Sequence, residues 1–363
     1  MFIKRSELIQ LNLKREKMLE KRHLFTLMTS ALILLFTGCG TAIENLNVYQ
    51  PEPIQKAELM PSQQALAGEK FKVVVMSVED SGFKIAKSAN LGRALTKMLE
   101  NEIGRDQSID ILDRSVAEKF ENEIKLDEMN GATSGENALL DSANYIVLGE
   151  LKNASFTSRF VQRKTWIDSK GYTHVIPAHY NYTAEVDGQI KIYELPSMKI
   201  KKIIAFSDNK TRSEDSKFLG DRVRVDNGLI NKAGEDAIHS ARIELKNFLA
   251  PKGYLIGARS YDGNRIIKIS LGLNNGIQEG DIVEIRTKKV VTNQLTEQTE
   301  EEIYKVADAT VSDKIQRNTA WAHLNEEVPG EEIHLGDEVK VVYTKSVMDY
   351  VNDAGKLVNR MSK

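Results

Sequence analysis

Between Tyr172 and Val186 one parity of positions (Tyr172, His174, Ile176, Ala178, Tyr180, Tyr182, Ala184 and Val186) is mostly apolar or aromatic, and the residues between are mostly polar. Successive side chains of a strand point to opposite faces, so a period of two predicts a strand with one half-buried face. Residues 156–166 run out to Asp168-Ser169-Lys170-Gly171, which has the composition of a tight turn. Together they predict a long β-hairpin over residues 152–187. Pro177 has no N–H to give a ladder and must sit at an edge or bulge.

The hairpin falls inside a longer alternation of strands and helices. Residues 71–78 (FKVVVMSV) read as a buried strand. Residues 88–103 place Leu91, Ala94, Leu95, Met98, Leu99 and Ile103 three and four apart, the spacing of an amphipathic helix. A second strand covers 109–112, and Asp113 caps a helix from Arg114 to about Asp127. Residues 130–136 are a loop and 138–143 a short helical turn. Strands follow at 145–151, 189–194 and 200–206, then a long helix over 227–249 that Pro251 and Gly253 stop. The order predicts an α/β sandwich over residues 70–250, with the hairpin inserted between its third and fourth strands.

Short strands then recur at turn spacing: 254–258, 265–270, 281–287, 307–312, 319–324 and 338–343. This predicts a small all-β, barrel-like domain over 254–345, so the fold class is α+β. A weak internal echo supports it. Gly280-Asp281 and Gly336-Asp337 each make a turn from which a strand starts. Residues 346–363 read as a helical tail.

The N-terminus carries an address. Lys21, Arg22 and His23 flank an apolar stretch over 24–36, and Thr37, Gly38 and Cys39 follow. A charged region, a short apolar run and small residues are the parts of a signal peptide. At about 13 residues the run is too short to span a bilayer, which needs roughly 20. It resembles a bacterial lipobox. The resemblance implies that 1–38 is a signal peptide removed before Cys39, the only cysteine, which then carries acyl chains such as palmitate. Gly40, where an aspartate would retain a lipoprotein at the inner membrane, favours the outer membrane. Met18 begins a more typical signal, so the true start can be Met18. Residues 39–69, with Pro51, Pro53 and Pro61 and no sustained period, read as a tether.

Residues 1–38 hold 7 Lys/Arg and 3 Asp/Glu, so of 50 basic and 52 acidic residues the processed chain keeps 43 and 49, a net charge of −6. That gives no electrostatic footprint for nucleic acid. The aromatics Phe160, Trp166, Tyr180 and Tyr182 therefore read as packing or protein-interface residues rather than base-stacking ones. One cysteine, assigned to lipid, leaves no disulfide framework, thiol nucleophile or cysteine zinc cluster. There is no Walker loop, no G-x-G-x-x-G opening a helix after the first strand, no H-E-x-x-H and no G-x-S-x-G. His174 and His179 fall on opposite sides of a strand and make no metal pair. Glu79-Asp80 reads as a turn, and Glu300-Glu301-Glu302 as a solvated face. The expectation is a non-enzyme with no catalytic, cofactor or metal residue.

Residues 72–80 (KVVVMSVED), the helix over 91–103, residues 109–114 (IDILDR) and residues 143–150 (ANYIVLGE), with the lipobox, resemble the CsgG family of outer-membrane lipoproteins and the related TolB N-terminal domain. The turn over 276–281 is similar to the small β-domain of the flagellar protein FlgT. The best-known activity of the CsgG family implies a ring-shaped pore for curli subunits with two hairpins per subunit. Here 152–187 supplies one, while residues 207–216 after Phe206 are too polar for a lipid-facing second. The expected function is a lipid-anchored assembly or scaffold protein at the periplasmic face of the outer membrane. It would bind periplasmic protein partners of a flagellar-type ring or secretion apparatus, with a homo-oligomeric ring possible. Two alternatives share the address: an oligomeric secretion channel for curli-like subunits, and a lipoprotein activator of peptidoglycan synthesis.

Overall fold

The computed structural model describes residues 42–66, 71–80, 82–105, 109–113, 143–217 and 224–346. Cys39, the helix expected from Arg114, the loop and turn up to 142, and all of the tail beyond Ser346 lie outside the described residues. In chain order the elements of the first part are β1 (Gln50–Glu52), α1 (Gln63–Leu66), β2 (Phe71–Val75), α2 (Lys84–Ala89), α3 (Leu91–Gly104) and β3 (Ile109–Ile111). Then come β4 (Tyr145–Val161), β5 (Lys164–Ile167), β6 (Thr173–Ile176), β7 (His179–Glu194), β8 (Lys199–Asp215) and α4 (Asn227–Phe248).

Five strands form a mixed sheet in the order β3-β2-β4-β7-β8. β2 pairs in parallel with β3 and β4, and the β4–β7 and β7–β8 pairs are antiparallel. The apolar stripe of α3 (Leu91, Leu95, Leu99, Ile103) and that of α4 (Ile230, Ala237, Ile238, Leu245) bury against Val73, Val147, Ile190, Ile192 and Ile204. At Gly234 a Cβ would stand 2.7 Å from Leu91 Cδ1, so the two helices close on a residue without a side chain.

The single helix expected over 88–103 is two helices. Asn90 sits between α2 and α3 in the left-handed region, φ 54° and ψ 38°, and its N–H bonds back to the Lys87 carbonyl at 3.1 Å. Asparagine tolerates this conformation better than most residues. Asp80, at the end of the first strand, then accepts from the Gly92 N–H at 3.1 Å and caps α3 from across the turn.

The hairpin is not an insertion. β4 and β7 run through without interruption, so the strand expected at 145–151 and the outgoing arm of the hairpin are one strand. β8 also continues past Phe206 to Asp215 and stays paired with β7, down to His179↔Asp215. The polar stretch after Phe206 is thus a strand, because β7 pairs with its backbone, and from Thr211 to Asp215 its side chains face water, while Asp208 is buried.

The remaining strands are β9 (Lys252–Tyr261), β10 (Asn264–Ile269), β11 (Ile282–Thr292), β12 (Thr299–Ile315), β13 (Ala320–Glu327) and β14 (Glu338–Val342). They are antiparallel in the order β9-β10-β13-β12-β11-β14, and β14 pairs back with β9 to close a six-strand barrel. Its interior holds Leu255, Ile267, Ile269, Val283, Ile285, Val306, Val311, Val339 and Val341, all buried. Strand outweighs helix, so the fold is β-rich, more so than the expected α+β balance.

The internal echo is a repeated turn. Asp281 Oδ2 accepts from the Gln278 N–H at 2.7 Å, and Asp337 Oδ2 accepts from the His334 N–H at 2.6 Å. Gly280 (φ 87°) and Gly336 (φ 94°) take the left-handed position of each turn.

The expected tether over 39–69 is corrected by its middle part. β1 adds to the free edge of β9 through Gln50↔Ser260, Pro51↔Arg259 and Glu52↔Ala258. Arg265 grips Glu52 with two hydrogen bonds, Nη2 to Oε1 at 2.6 Å and Nε to Oε2 at 3.2 Å. Ala57 and Leu335 bond at 2.9 Å, and Leu335 donates to the Gln55 carbonyl at 2.8 Å. Pro51, which argued for a linker, sits on an edge strand, where its missing N–H is harmless.

Asn45 onward is one unit, joined where α4 meets the barrel. Leu249, 1% exposed, and Ala250, 0% exposed, carry the chain from α4 into β9.

Candidate interaction arm

Beyond the helix-covered part of the sheet, β4, β7 and β8 continue as a three-stranded ribbon through Phe160↔Tyr180↔Glu214. Period-two patterning gives the ribbon two unlike faces. On one, Phe156 stacks on Tyr182 with ring centroids 5.9 Å apart, Tyr182 on Tyr180 at 6.0 Å, and Phe160 lies 5.0 Å from Tyr180. The Arg212 guanidinium sits 5.6 Å over the Tyr182 ring. The other face is polar: Thr183 and Thr211 hydroxyls meet at 3.4 Å, and Ser213 Oγ donates to Asn181 Oδ1 at 2.6 Å. The aromatics singled out in the sequence are therefore a cross-strand ladder, except Trp166, which lies further out.

At the end of the ribbon β5 and β6 form their own small hairpin. One carboxylate organises its turn. Asp168 Oδ1 accepts from the N–H of Lys170 at 2.9 Å and of Tyr172 at 3.0 Å, while Oδ2 meets His174 Nε2 at 2.9 Å. The hydrogen bond from His174, then those from the backbone amides, hold the Asp168 carboxyl below its ordinary range. Gly171 takes φ 85°, which the turn requires. Trp166 stacks on His174 at 5.1 Å.

The register Lys164↔Ile176, Thr165↔Val175, Trp166↔His174 and Ile167↔Thr173 puts Trp166 with Ile176 on one face and Ile167 with Val175 on the other. All four are exposed, Ile167 by 69%, and so is Tyr172 at the turn by 66%. Arg159, Arg163, Lys164 and Lys170, which the sequence placed on the turn side, are exposed there.

The other residues weighed in the sequence take structural places. Glu79 bridges to Glu150 in parallel pairing, and Asp80 is the cap of α3. Glu300, Glu301 and Glu302 lie exposed along β12. His174 is at the tip, whereas His179 starts β7 with Nδ1 2.9 Å from the Pro177 carbonyl, so the two serve different turns. Among the described residues no group of three or more His, Cys, Asp or Glu side chains is placed to hold a metal ion.

No sequence pattern marks a cleft of about 390 Å³ where the last turns of α3 and α4 face the barrel, lined by Arg105, Lys246, Gln278, Asp281 and Tyr343 among others. Beside it Glu102, 2% exposed, takes Arg105 Nη1 at 3.1 Å and His239 Nδ1 at 3.2 Å. Glu102 sits at a core-facing helical position with nothing in its neighbours to mark it.

No protein-family model and no curated protein matches the chain. Among solved structures, a hypothetical protein from Chlamydia trachomatis is similar at 12% identity and a TM-score of 0.24, over 50% of this chain and 98% of that one. An uncharacterized lipoprotein B from Nitrosomonas europaea is similar at 10% identity and a TM-score of 0.23, over 52% of this chain and 92% of that one. Scores this low decide neither fold nor activity. No helix among the described residues is long and apolar enough to cross a membrane.

Proposed function

We propose that the chain is a lipid-anchored, non-enzymatic scaffold at the periplasmic face of the outer membrane, holding protein partners of a cell-surface machine. The arm carries this reading: a three-stranded ribbon braced by the body, whose polar face presents the exposed Thr157, Arg159 and Ser213 along its length. The lipobox ending at Cys39 supplies the address. We read the helix-covered sheet as a CsgG/TolB-like module and the closed barrel as a second interaction module.

The register of the arm favours this reading over a secretion channel. Lys210 and Arg212 fall on the face of Ala184 and Tyr182, while Thr211 and Ser213 take the opposite face. Neither face of β8 offers a lipid-facing band, and a cation at the bilayer midplane costs about 2–4 kcal/mol.

Fractionation and crosslinking test the reading. Cys39→Ser is expected to move the chain from the outer membrane to the periplasm. Photo-crosslinkers at Thr157 and Asn181 are expected to capture a defined set of envelope proteins. Membrane recovery that ignores the Cys39 substitution, or ion conductance by the purified protein in planar bilayers, overturns it.

A further inference from the structure

We propose that the tip of the arm, residues 163–176, is a second membrane contact that dips into the phosphate-bearing interface of a lipid bilayer; the inference rests on the lipid-anchored reading above.

Three observations choose lipid as the occupant. The first is that both faces of the tip carry exposed apolar side chains. Trp166 and Ile176 project from one side, Ile167 and Val175 from the other, and Tyr172 from the end. A two-stranded hairpin has no interior in which to bury either face. A protein docked on one face leaves the other in water, whereas a lipid interface surrounds both.

The second is charge. Asp168 is the only acid between Arg163 and Ile176, and its two oxygens are taken by His174 and the turn amides. Arg163, Lys164 and Lys170 are exposed around the apolar cluster. Cations ringing apolar and aromatic side chains match a bilayer surface, where ammonium and guanidinium groups meet lipid phosphates and Trp and Tyr sit at headgroup depth. The processed chain carries −6, so the tip rather than the body is drawn to an anionic surface.

The third is length. Strands of four residues reach roughly 13 Å at 3.3 Å per residue. That is less than half the ~30 Å hydrocarbon core, so the contact is interfacial and does not span. The Asp168 clamp presets the turn, and little order has to be gained on insertion.

The test uses the full acylated chain with Trp321→Phe, which leaves Trp166 as the sole tryptophan of the two. It is reconstituted on vesicles of phosphatidylethanolamine and phosphatidylglycerol carrying brominated acyl chains. Trp166 emission is expected to shift to the blue and be quenched, most strongly by bromines roughly 5–10 Å below the headgroup boundary. Ile167→Lys with Val175→Lys changes only exposed positions and is expected to abolish the quenching while the chain still floats with the vesicles. Solvent-like, unquenched Trp166 on a floating chain overturns the inference and leaves the scaffold reading intact. A chain that does not float with vesicles refutes the anchor instead. In that case the Cys39→Ser chain must bind phosphatidylglycerol vesicles, with salt sensitivity, for the tip contact to stand.

Discussion

Asn247 grips the main chain of Tyr343 at both ends: its Nδ2 donates to the Tyr343 carbonyl at 2.8 Å, and its Oδ1 accepts from the Tyr343 N–H at 2.8 Å. A side chain of the last turn of α4 thus behaves as one more strand residue beside the end of β14. Lys246, its neighbour, covers the Tyr343 ring at 5.0 Å. Asn247→Ala removes both hydrogen bonds to the half-buried Tyr343 main chain, and is expected to cost about 1–3 kcal/mol by urea denaturation with an unchanged slope. Hydrogen exchange at the Tyr343 amide is expected to speed up more than exchange in the barrel interior. Equal acceleration throughout would show that the contact is incidental to the joint.

The two Gly-Asp turns offer a matched comparison. An alanine at Gly280 meets open space, so only the left-handed backbone penalises it, about 1–2 kcal/mol. At Gly336 the same Cβ would also stand 2.9 Å from Met60 Sδ and 3.0 Å from Pro61 Cδ. Gly336→Ala is expected to be the more damaging of the two, and to increase proteolysis around residues 57–61. Equal thermal shifts for the two variants would mean that this segment yields easily.

Arg265 ties the N-terminal segment to the barrel. Besides Glu52 it pairs with Glu327 of β13, so one guanidinium bridges strands 213 and 62 residues away. The group is 28% exposed and Glu52 25%, while Glu327 is more open at 38%. Arg265→Ala is expected to cost about 1 kcal/mol. Its clearer effect is local: the amides of β1 should lose protection while those of β10 keep theirs.

The tip should respond to acid. A carboxylate with a depressed folded-state pKa contributes stability above its unfolded value and loses it as pH falls through the folded one. Asp168 is such a group, held down by the His174 hydrogen bond and then by the Tyr172 amide. Protection of the Lys170 and Tyr172 amides is therefore expected to persist at neutral pH and to vanish in acid, below the ordinary aspartate value of 3.8. Asp168→Asn is expected to weaken protection at neutral pH and flatten the profile.

Where local pattern and tertiary need agreed, the sequence was legible. All six expected barrel strands are present, because each has one inward and one outward face, but β11 runs on to Thr292 and β12 starts at Thr299, through residues whose pattern gave no sign of a strand. The long helix over α4 was legible for the same reason: it has one stripe to bury. The break at Asn90 was not, because a left-handed residue inside an amphipathic run leaves the spacing almost unchanged. The docking of β1 was hidden by Pro51 and Pro53, residues that suit a linker and an edge strand equally well. The arm was half legible. Its aromatic parity stood out, but the polar third strand is fixed by pairing to β7, a contact between residues distant in sequence. Cys39 falls outside the described residues, so the lipid site rests on the lipobox alone.

The buried step from α4 into β9 through Leu249 and Ala250 has a mechanical meaning. A hinge needs residues that can change their backbone angles without unpacking anything, and this step offers none. A pull on the tip passes along the ribbon strands into the sheet, from the sheet into α4, and from α4 into the barrel wall. The molecule therefore acts as a strut of fixed reach, and whatever holds the tip also sets the position of anything gripping the barrel.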